Sequence, residues 1–273
     1  MMCIAVASLS ISDAIAKNLI GSYSSAEILF LRNAIALPIA LLITLKMGGV
    51  ASLCSYRPFA HLLRGALWLG ATALFLTSMV HLTLAEATTL SFMAPVFITA
   101  ISSCFLGERV AWHGWLPVTG GFVGVLIVTR PGTGAFQPAS LLSVGSAFFH
   151  AFLLISARLV DPRESVWTLS LYLTGTSAIL SGLIVPFVWS APRVDDLLLF
   201  IGIALFGTVG QTLMTQAFRL SPAAVVAPID YSALLWSISL GWLFWSEIPD
   251  LTTILGAIVV ALSGILLISG AKT

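Results

Sequence analysis

Residues 81–109 read HLTLAEATTLSFMAPVFITAISSCFLGER and residues 220–248 read LSPAAVVAPIDYSALLWSISLGWLFWSEI. Laid over one another at an offset of 139 residues (220 less 81), they match at Ala85/Ala224, Ala94/Ala233, Phe105/Phe244 and Glu108/Glu247, with Leu116/Leu255 just beyond. Each stretch is apolar and long enough for a membrane helix, and each ends on an acid, Glu108 or Glu247, just before a further apolar segment. That acid marks the close of the fourth helix in each half. With five helices per half, the odd number makes the second copy enter the membrane upside down, as in many transporters. The halves divide as residues 1–130 and 138–273.

Composition agrees. Of 273 residues, 59% are hydrophobic and 8% charged, with a mean hydropathy of +1.06. A soluble domain carries roughly 45–50% apolar and about 25% charged residues, so no sizeable soluble domain fits in this chain. Twelve Lys and Arg against eleven Asp and Glu give a formal charge of +1. No basic run is present to track phosphates, which excludes a nucleic-acid partner. Cys3, Cys54 and Cys104 are odd in number and form no C-x-x-C pair, so neither a disulfide framework nor a zinc site is expected. The first apolar segment carries Asp13 and Lys17 with no basic leader ahead of them, and reads as a membrane helix rather than a cleaved signal. The sequence predicts an all-α polytopic membrane protein with no metal or cofactor.

A hydrocarbon core about 30 Å thick requires roughly 20 apolar residues per helix. Polar, Gly and Pro breaks then give ten transmembrane helices near 2–20, 25–46, 58–80, 84–106, 111–129, 138–158, 165–189, 197–217, 221–245 and 250–270. With a cytoplasmic N-terminus, Lys46, Arg57, Arg64, Arg109, Arg158, Arg163, Arg219 and Lys272 gather on the cytoplasmic side, against Lys17, Arg130 and Arg193 opposite. The positive-inside rule therefore puts both termini in the cytoplasm. Trp112, Trp115, Trp167, Trp189, Trp242 and Trp245 fall near span ends, as interfacial belts require.

The stretches SISDAIAKNL (10–19), EILFLRNAIALP (27–38), APVFITAISSCFLGERV (94–110) and SPAAVVAPIDYSALLWSISLGWLFWSEIPD (221–250) carry a resemblance. Through them, and most specifically through the paired endings L-G-E-R and W-S-E-I-P, the chain resembles the EamA branch of the drug/metabolite transporter superfamily. It has Trp-Ser where Leu-Gly is usual in the second copy. The resemblance spans nearly the whole sequence. It implies a ten-helix inner-membrane carrier with a central cavity between two inverted five-helix repeats. Cargo among such relatives includes amino acids, vitamins, opine-type metallophores, adenosylmethionine and drugs.

Charged groups inside the spans nominate the site. Asp13 and Lys17, four apart, share one face of the first helix and are expected to neutralise each other there, either as a structural pair or as a substrate or proton site. Arg32 lies five residues past Glu27 at a depth similar to Lys17. It either joins Lys17 in gripping a carboxylate or phosphate, or pairs with Glu27 or Asp13. Asp230, between Pro228 and Tyr231, is an intramembrane acid at a proline-weakened point in a helix, placed either to bind an amine or carry a proton, or to bond a neighbouring helix as a structural acid. Trp68, Trp236, Tyr172 and Tyr231 would offer ring faces to a planar cargo, with core packing as the plain alternative. His150, Gln211 and Gln216 either line the cavity or bond across helices. Glu86 reads as a helix cap or outer-gate residue, and Glu108 and Glu247 as interhelix ties or gates. Gly120-x-x-x-Gly124 permits close helix approach, either within the bundle or in a homodimer.

The functional expectation is a secondary carrier for a small organic metabolite, amino-acid-like or vitamin-like, with aromatic amino acids or a flavin-like vitamin favoured by the rings. Its partners are that small molecule and the lipid bilayer. The two five-helix halves would rock around a mid-membrane site. No Walker A sequence supplies ATP, and no H-E-x-x-H or rhomboid-type serine motif supports an intramembrane enzyme. An ion channel would need a filter loop or ring of like residues, and neither is visible.

Overall fold

The computed structural model describes residues 1–105, 112–130, 136–156, 160, 163–220 and 229–270; the side chains of 95, 99, 102–105, 112–118, 218–219 and 264–270 lie outside that description. Among the described residues every regular element is a helix. In chain order the helices are α1 (Met2–Ile20), α2 (Ser25–Gly48), α3 (Pro58–Ser78), α4 (Leu84–Ser91), α5 (Ala94–Phe105), α6 (Trp112–Thr129), α7 (Ser140–Ser156), α8 (Val166–Ile184), α9 (Leu197–Leu220), α10 (Ala233–Trp245) and α11 (Leu251–Gly270). Because α4 and α5 share one crossing, they build ten spans.

Local chemistry sets the boundaries. Ser24 accepts the Glu27 N–H at 3.2 Å to cap α2, and Ser165 accepts that of Thr168 at 3.1 Å to cap α8. Thr83 and Glu86 form a reciprocal capping box at the start of α4, which uses Glu86 as a cap. Gly49, with φ +70°, lets the chain turn off α2 where a Cβ would be strained. The sequence predicts an unbroken fourth helix over 84–106; instead it breaks at Phe92–Met93. Pro95 follows the break, and a proline both lacks an N–H and crowds the carbonyl four residues back. The ninth span breaks too, at Tyr231–Ser232, after a helical pair at Ile229–Asp230. At the offset of 139 the two breaks coincide residue for residue, Phe92 on Tyr231 and Met93 on Ser232. Pro228, expected to cause the second break, lies outside the described residues.

Helix pairing obeys the inverted repeat. Exchanging the first five spans for the last five maps the packed pair α1/α9 onto α7/α3, and α1/α10 onto α7/α4. It maps α2/α8, α4/α10 and α6/α11 each onto itself. Phe92 and Tyr231, repeat-equivalent residues at the two breaks, touch edge to face with centroids 4.9 Å apart. They therefore sit on the pseudo-two-fold axis.

Small residues let these helices approach. A Cβ on Gly124 of α6 would stand 2.9 Å from the Gly256 carbonyl oxygen of α11, and one on Gly256 would stand 2.8 Å from that of Gly124. The close-approach motif is thus used inside the bundle. Gly210 of α9 meets the backbone of α1 in the same way, 2.9 Å from the Ala5 carbonyl oxygen. Large apolar side chains point outward, with Phe59 85% and Phe187 87% exposed, while Glu27, His61, Ser143 and Ser177 are buried. Apolar outside and polar inside is the arrangement of a chain whose solvent is lipid.

Replacing Gly256 by Val should lower stability in detergent by about 1–3 kcal/mol, because the α6/α11 backbones cannot separate without losing their contact. Gly21→Ala, which meets nothing within 4 Å, should leave the unfolding midpoint unchanged. Equal midpoints for the two variants would contradict this packing.

Candidate functional site

The interior of the bundle is built around α9, which fixes relative depth. Leu9 of α1 lies against Gly210, the Ser12 hydroxyl donates to the Ile203 carbonyl at 3.3 Å, and Ile15 lies against Gly202. Arg32 of α2 lies against Gly207 of the same helix, so closely that a Cβ there would be 2.6 Å from Nη2. Arg32 and Asp13 are therefore at one depth, and each is the other's electrostatic partner. No N–O contact within 4.0 Å joins them. The Arg32 guanidinium lies over the Trp68 ring, 5.8 Å from its centroid, and His150 of α7 meets that ring edge to face at 6.3 Å.

Asp13, His150 and Asp230 lie deep in the bundle, yet each keeps partial access. All three stand apart from the ion pairs at the ends of the bundle. Asp230 has no hydrogen-bond or ion-pair partner among the described residues, and Gln211 and Gln216 are half-buried on α9. Two open hollows, 440 Å³ beside His81 and Phe136 and 520 Å³ beside Arg57 and Phe59, lie at the ends of the bundle, away from these groups.

One end of the bundle is tied together. Lys17 Nζ donates to both Glu247 carboxylate oxygens, at 2.5 and 2.7 Å, and to the Leu82 carbonyl at 3.4 Å. It also lies 5.2 Å from the Trp245 ring centroid. Glu247 Oε2 accepts the Leu84 N–H at 3.3 Å. The cluster thus joins the end of α1, the start of α4 and the exit of α10, across the repeat boundary. At the same end Arg130 pairs with Asp250.

The expected neutralisation of Asp13 by Lys17 is corrected here. Side chains on a helix lean toward its N-terminus, but a long lysine reaches whichever carboxylate is presented to it, and Glu247 is presented at the helix end. Lys17 and Arg32 accordingly form no joint grip. Trp68 has one face covered by Arg32, and so positions that group. Tyr172 lies at the other end of the bundle, stacked on His61 at 4.7 Å with its hydroxyl donating to the Leu53 carbonyl at 3.0 Å. Trp236 of α10 is 40% exposed. Glu108 lies outside the described residues.

Two buried carboxylates form ties that sequence spacing does not reveal, and Glu27 turns to Ser190 rather than to Arg32. Glu27, wholly buried at the start of α2, accepts from the Ser190 hydroxyl at 2.7 Å and the Ser190 N–H at 3.2 Å, just beyond α8. Glu164, just ahead of α8, accepts from the Ser55 hydroxyl at 2.7 Å and the Tyr56 N–H at 2.8 Å, just beyond α2, and bonds His61 Nε2 at 2.5 Å. Each helix of the α2/α8 pair thus grips the segment leaving the other, once at each end. Burial alone would push the Glu164 carboxyl up, but the hydrogen bonds from Ser55, His61 and the Tyr56 amide outweigh it and hold it below the ordinary carboxylate range.

A ten-span inverted repeat with ionisable side chains inside the bundle is the architecture of a multi-pass membrane transporter. The sequence pattern of the EamA-like transporter family matches residues 1–130 and again 137–270, and the chain belongs to that family. It is 27% identical over 263 residues to the pseudopaline exporter of Pseudomonas aeruginosa, covering 94% of this chain and 91% of that one. It is 28% identical to the S-adenosylmethionine uptake transporter of Rickettsia felis, covering 94% and 87%, and 28% identical to the riboflavin transporter of Vibrio cholerae, covering 88% and 81%. A solved crystal structure superimposes with a TM-score of 0.69 at 17% identity over 99% of this chain and 96% of that one, which shows the fold. The protein is a small-molecule transporter rather than an enzyme.

Glu164→Gln should destabilise the protein by about 1–3 kcal/mol at neutral pH, the range for a buried hydrogen-bonded carboxylate. A carboxyl held below its ordinary pKa contributes stability that is present above that range and lost as pH falls through the lower, folded-state value. The melting-temperature gap between wild type and variant should therefore hold from pH 7 to about pH 5 and close only below about pH 4.3, the ordinary Glu value. A gap independent of pH would contradict the clamp.

Proposed function

We propose that the protein is a secondary carrier that moves a small organic metabolite of the amino-acid or vitamin class across the bacterial inner membrane by alternating access, with both termini cytoplasmic. The observation that carries this reading is the Lys17–Glu247 cluster, which ties the two repeats together at one end of the bundle. In the cytoplasmic-termini orientation that end faces away from the cytoplasm. The relatives named above carry organic metabolites, in opposite directions in two cases, which suits a site served from either side.

The moving parts differ from two rocking five-helix halves. Helices α2 and α8 belong to different repeats and are held together at both ends by Glu27 and Glu164. In the proposed cycle this seam stays shut. Access changes where α1, α4 and α10 meet, with the broken turns at Phe92 and Tyr231 taking up the bend. Opening separates Lys17 from Glu247, and cargo then reaches Asp13, Arg32, His150 and Asp230. Arrival of cargo and departure to the other side follow from the same rearrangement run in the inverted sense.

Thiol labelling tests this. With Cys3, Cys54 and Cys104 replaced and Gln211→Cys added, a membrane-impermeant maleimide supplied from the Lys17 side should label slowly. Lys17→Gln or Glu247→Gln should raise that rate roughly fivefold, as expected for a partly exposed pair worth about 1 kcal/mol. The exchange Lys17→Glu with Glu247→Lys should slow it again. Unchanged labelling in both neutral variants would remove the gate.

A further inference from the structure

Arg32 is a fork of donors with nothing in it. Its guanidinium is 8% exposed by residue and lies in the middle of the bundle, and it makes no hydrogen bond among the described residues. Five N–H donors left unused away from bulk water are expensive, and an intramembrane arginine is a functional group by default. Nor is the guanidinium loose. Gly207 backs it, where even a methyl would be 2.6 Å from Nη2, and the Trp68 ring lies beneath it, itself braced by His150. Held on two sides, the fork is fixed in direction.

Asp13 stands at the same depth on the neighbouring helix, near enough to be the electrostatic partner of Arg32 and too far for an ion pair. Two opposite charges inside one apolar bundle would ordinarily close on each other. Held apart, they form a socket with a positive and a negative wall. A lone anion in that socket would face Asp13 and a lone cation would face Arg32. A group that is anionic on one side and cationic on the other satisfies both walls, and a planar carboxylate matches the two-donor geometry of a guanidinium.

We propose that the cargo carries an α-ammonium carboxylate headgroup, its carboxylate received by Arg32 and its ammonium by Asp13, with Trp68 as the positioning residue for Arg32. This rests on the carrier reading above and adds the substrate class. A phosphate dianion is disfavoured, since Asp13 already faces the same guanidinium.

The test compares metabolites in cells and medium for wild type, Arg32→Gln, Arg32→Lys, Asp13→Asn, Trp68→Phe and empty vector at matched membrane levels. The compounds that redistribute with wild type should bear a free α-amino and α-carboxyl group. Arg32→Gln should reduce their redistribution at least about tenfold, the loss expected when one buried charged partner is removed. Should that variant fail to reach the membrane, Arg32→Lys decides, because it keeps the charge but not the fork and should lose a similar factor. Asp13→Asn should lose amino compounds more than their deaminated counterparts, and Trp68→Phe should blur that preference while keeping transport. Redistributed compounds without this headgroup, or undiminished redistribution by a membrane-inserted Arg32→Lys, would overturn the headgroup assignment and leave the carrier. No redistribution by wild type would overturn the carrier reading, and this inference with it.

Discussion

Lipid tails are as apolar as leucine, so burying leucine gives this bundle no reason to associate, and everything else in the structure follows from that constraint. What holds the helices is van der Waals approach where side chains vanish and hydrogen bonding where they are polar. Both are placed at the helix pairs that the repeat defines. Gly124 and Gly256 bring α6 against α11, and Gly210 brings α9 against α1. Ser12 bonds Ile203, Ser143 bonds Ser78, and Ser177 bonds the Gly65 carbonyl. The polar residues must turn inward for this purpose, and the same inward turn leaves Asp13, Arg32, His150 and Asp230 lining the interior.

Much of the architecture is legible in sequence because its signals are local or periodic. Hydropathy sets the spans, and the matched acids at 108 and 247 mark the repeat. The broken fourth helix is half-legible, since Pro95 is visible but its effect depends on what the freed backbone meets. The break at Tyr231–Ser232 is half-legible too: Pro228 marks a weak point nearby, but the position matching Pro95 is Leu234, so the repeat alone does not place it. Tertiary context also decides the charges. The i,i+4 spacing of Asp13 and Lys17 is real, but Glu247, 230 positions away (247 less 17), outcompetes Asp13 for the lysine. Glu164 lies between spans, where an acid reads as solvated, and nothing nearby in sequence announces that Ser55, Tyr56 and His61 will converge on it.

The inverted repeat also explains why the α2/α8 seam is closed twice. A two-fold axis through the seam turns one end into the other, so a carboxylate at the start of α2 has its counterpart at the start of α8. The chemistry is repeated down to the partners, a serine hydroxyl and a backbone N–H in each case. The residues are not sequence equivalents, since Glu27 follows its cap Ser24 while Glu164 precedes its cap Ser165. The same tie is therefore achieved from two different local sequences.

Magnitudes decide which ties give way. Hydrogen bonds to a charged group contribute about 1.5–3 kcal/mol each, and a buried carboxylate stripped of its partners loses them without water to replace them. Glu164 has three such bonds, and its side chain and that of His61 are each 1% exposed. Opening the seam would strand Glu27 as well, at the opposite end. Lys17 and Glu247 differ in degree, because the Lys17 side chain is 8% and the Glu247 side chain already 24% exposed, so water is at hand for the carboxylate as they part. Hydration of the separated ions returns most of what the pair contributed. A thermal or ligand-driven fluctuation thus finds the Lys17–Glu247 junction far easier to open than the α2/α8 seam, and the direction of motion is set by how wet each carboxylate becomes when it lets go.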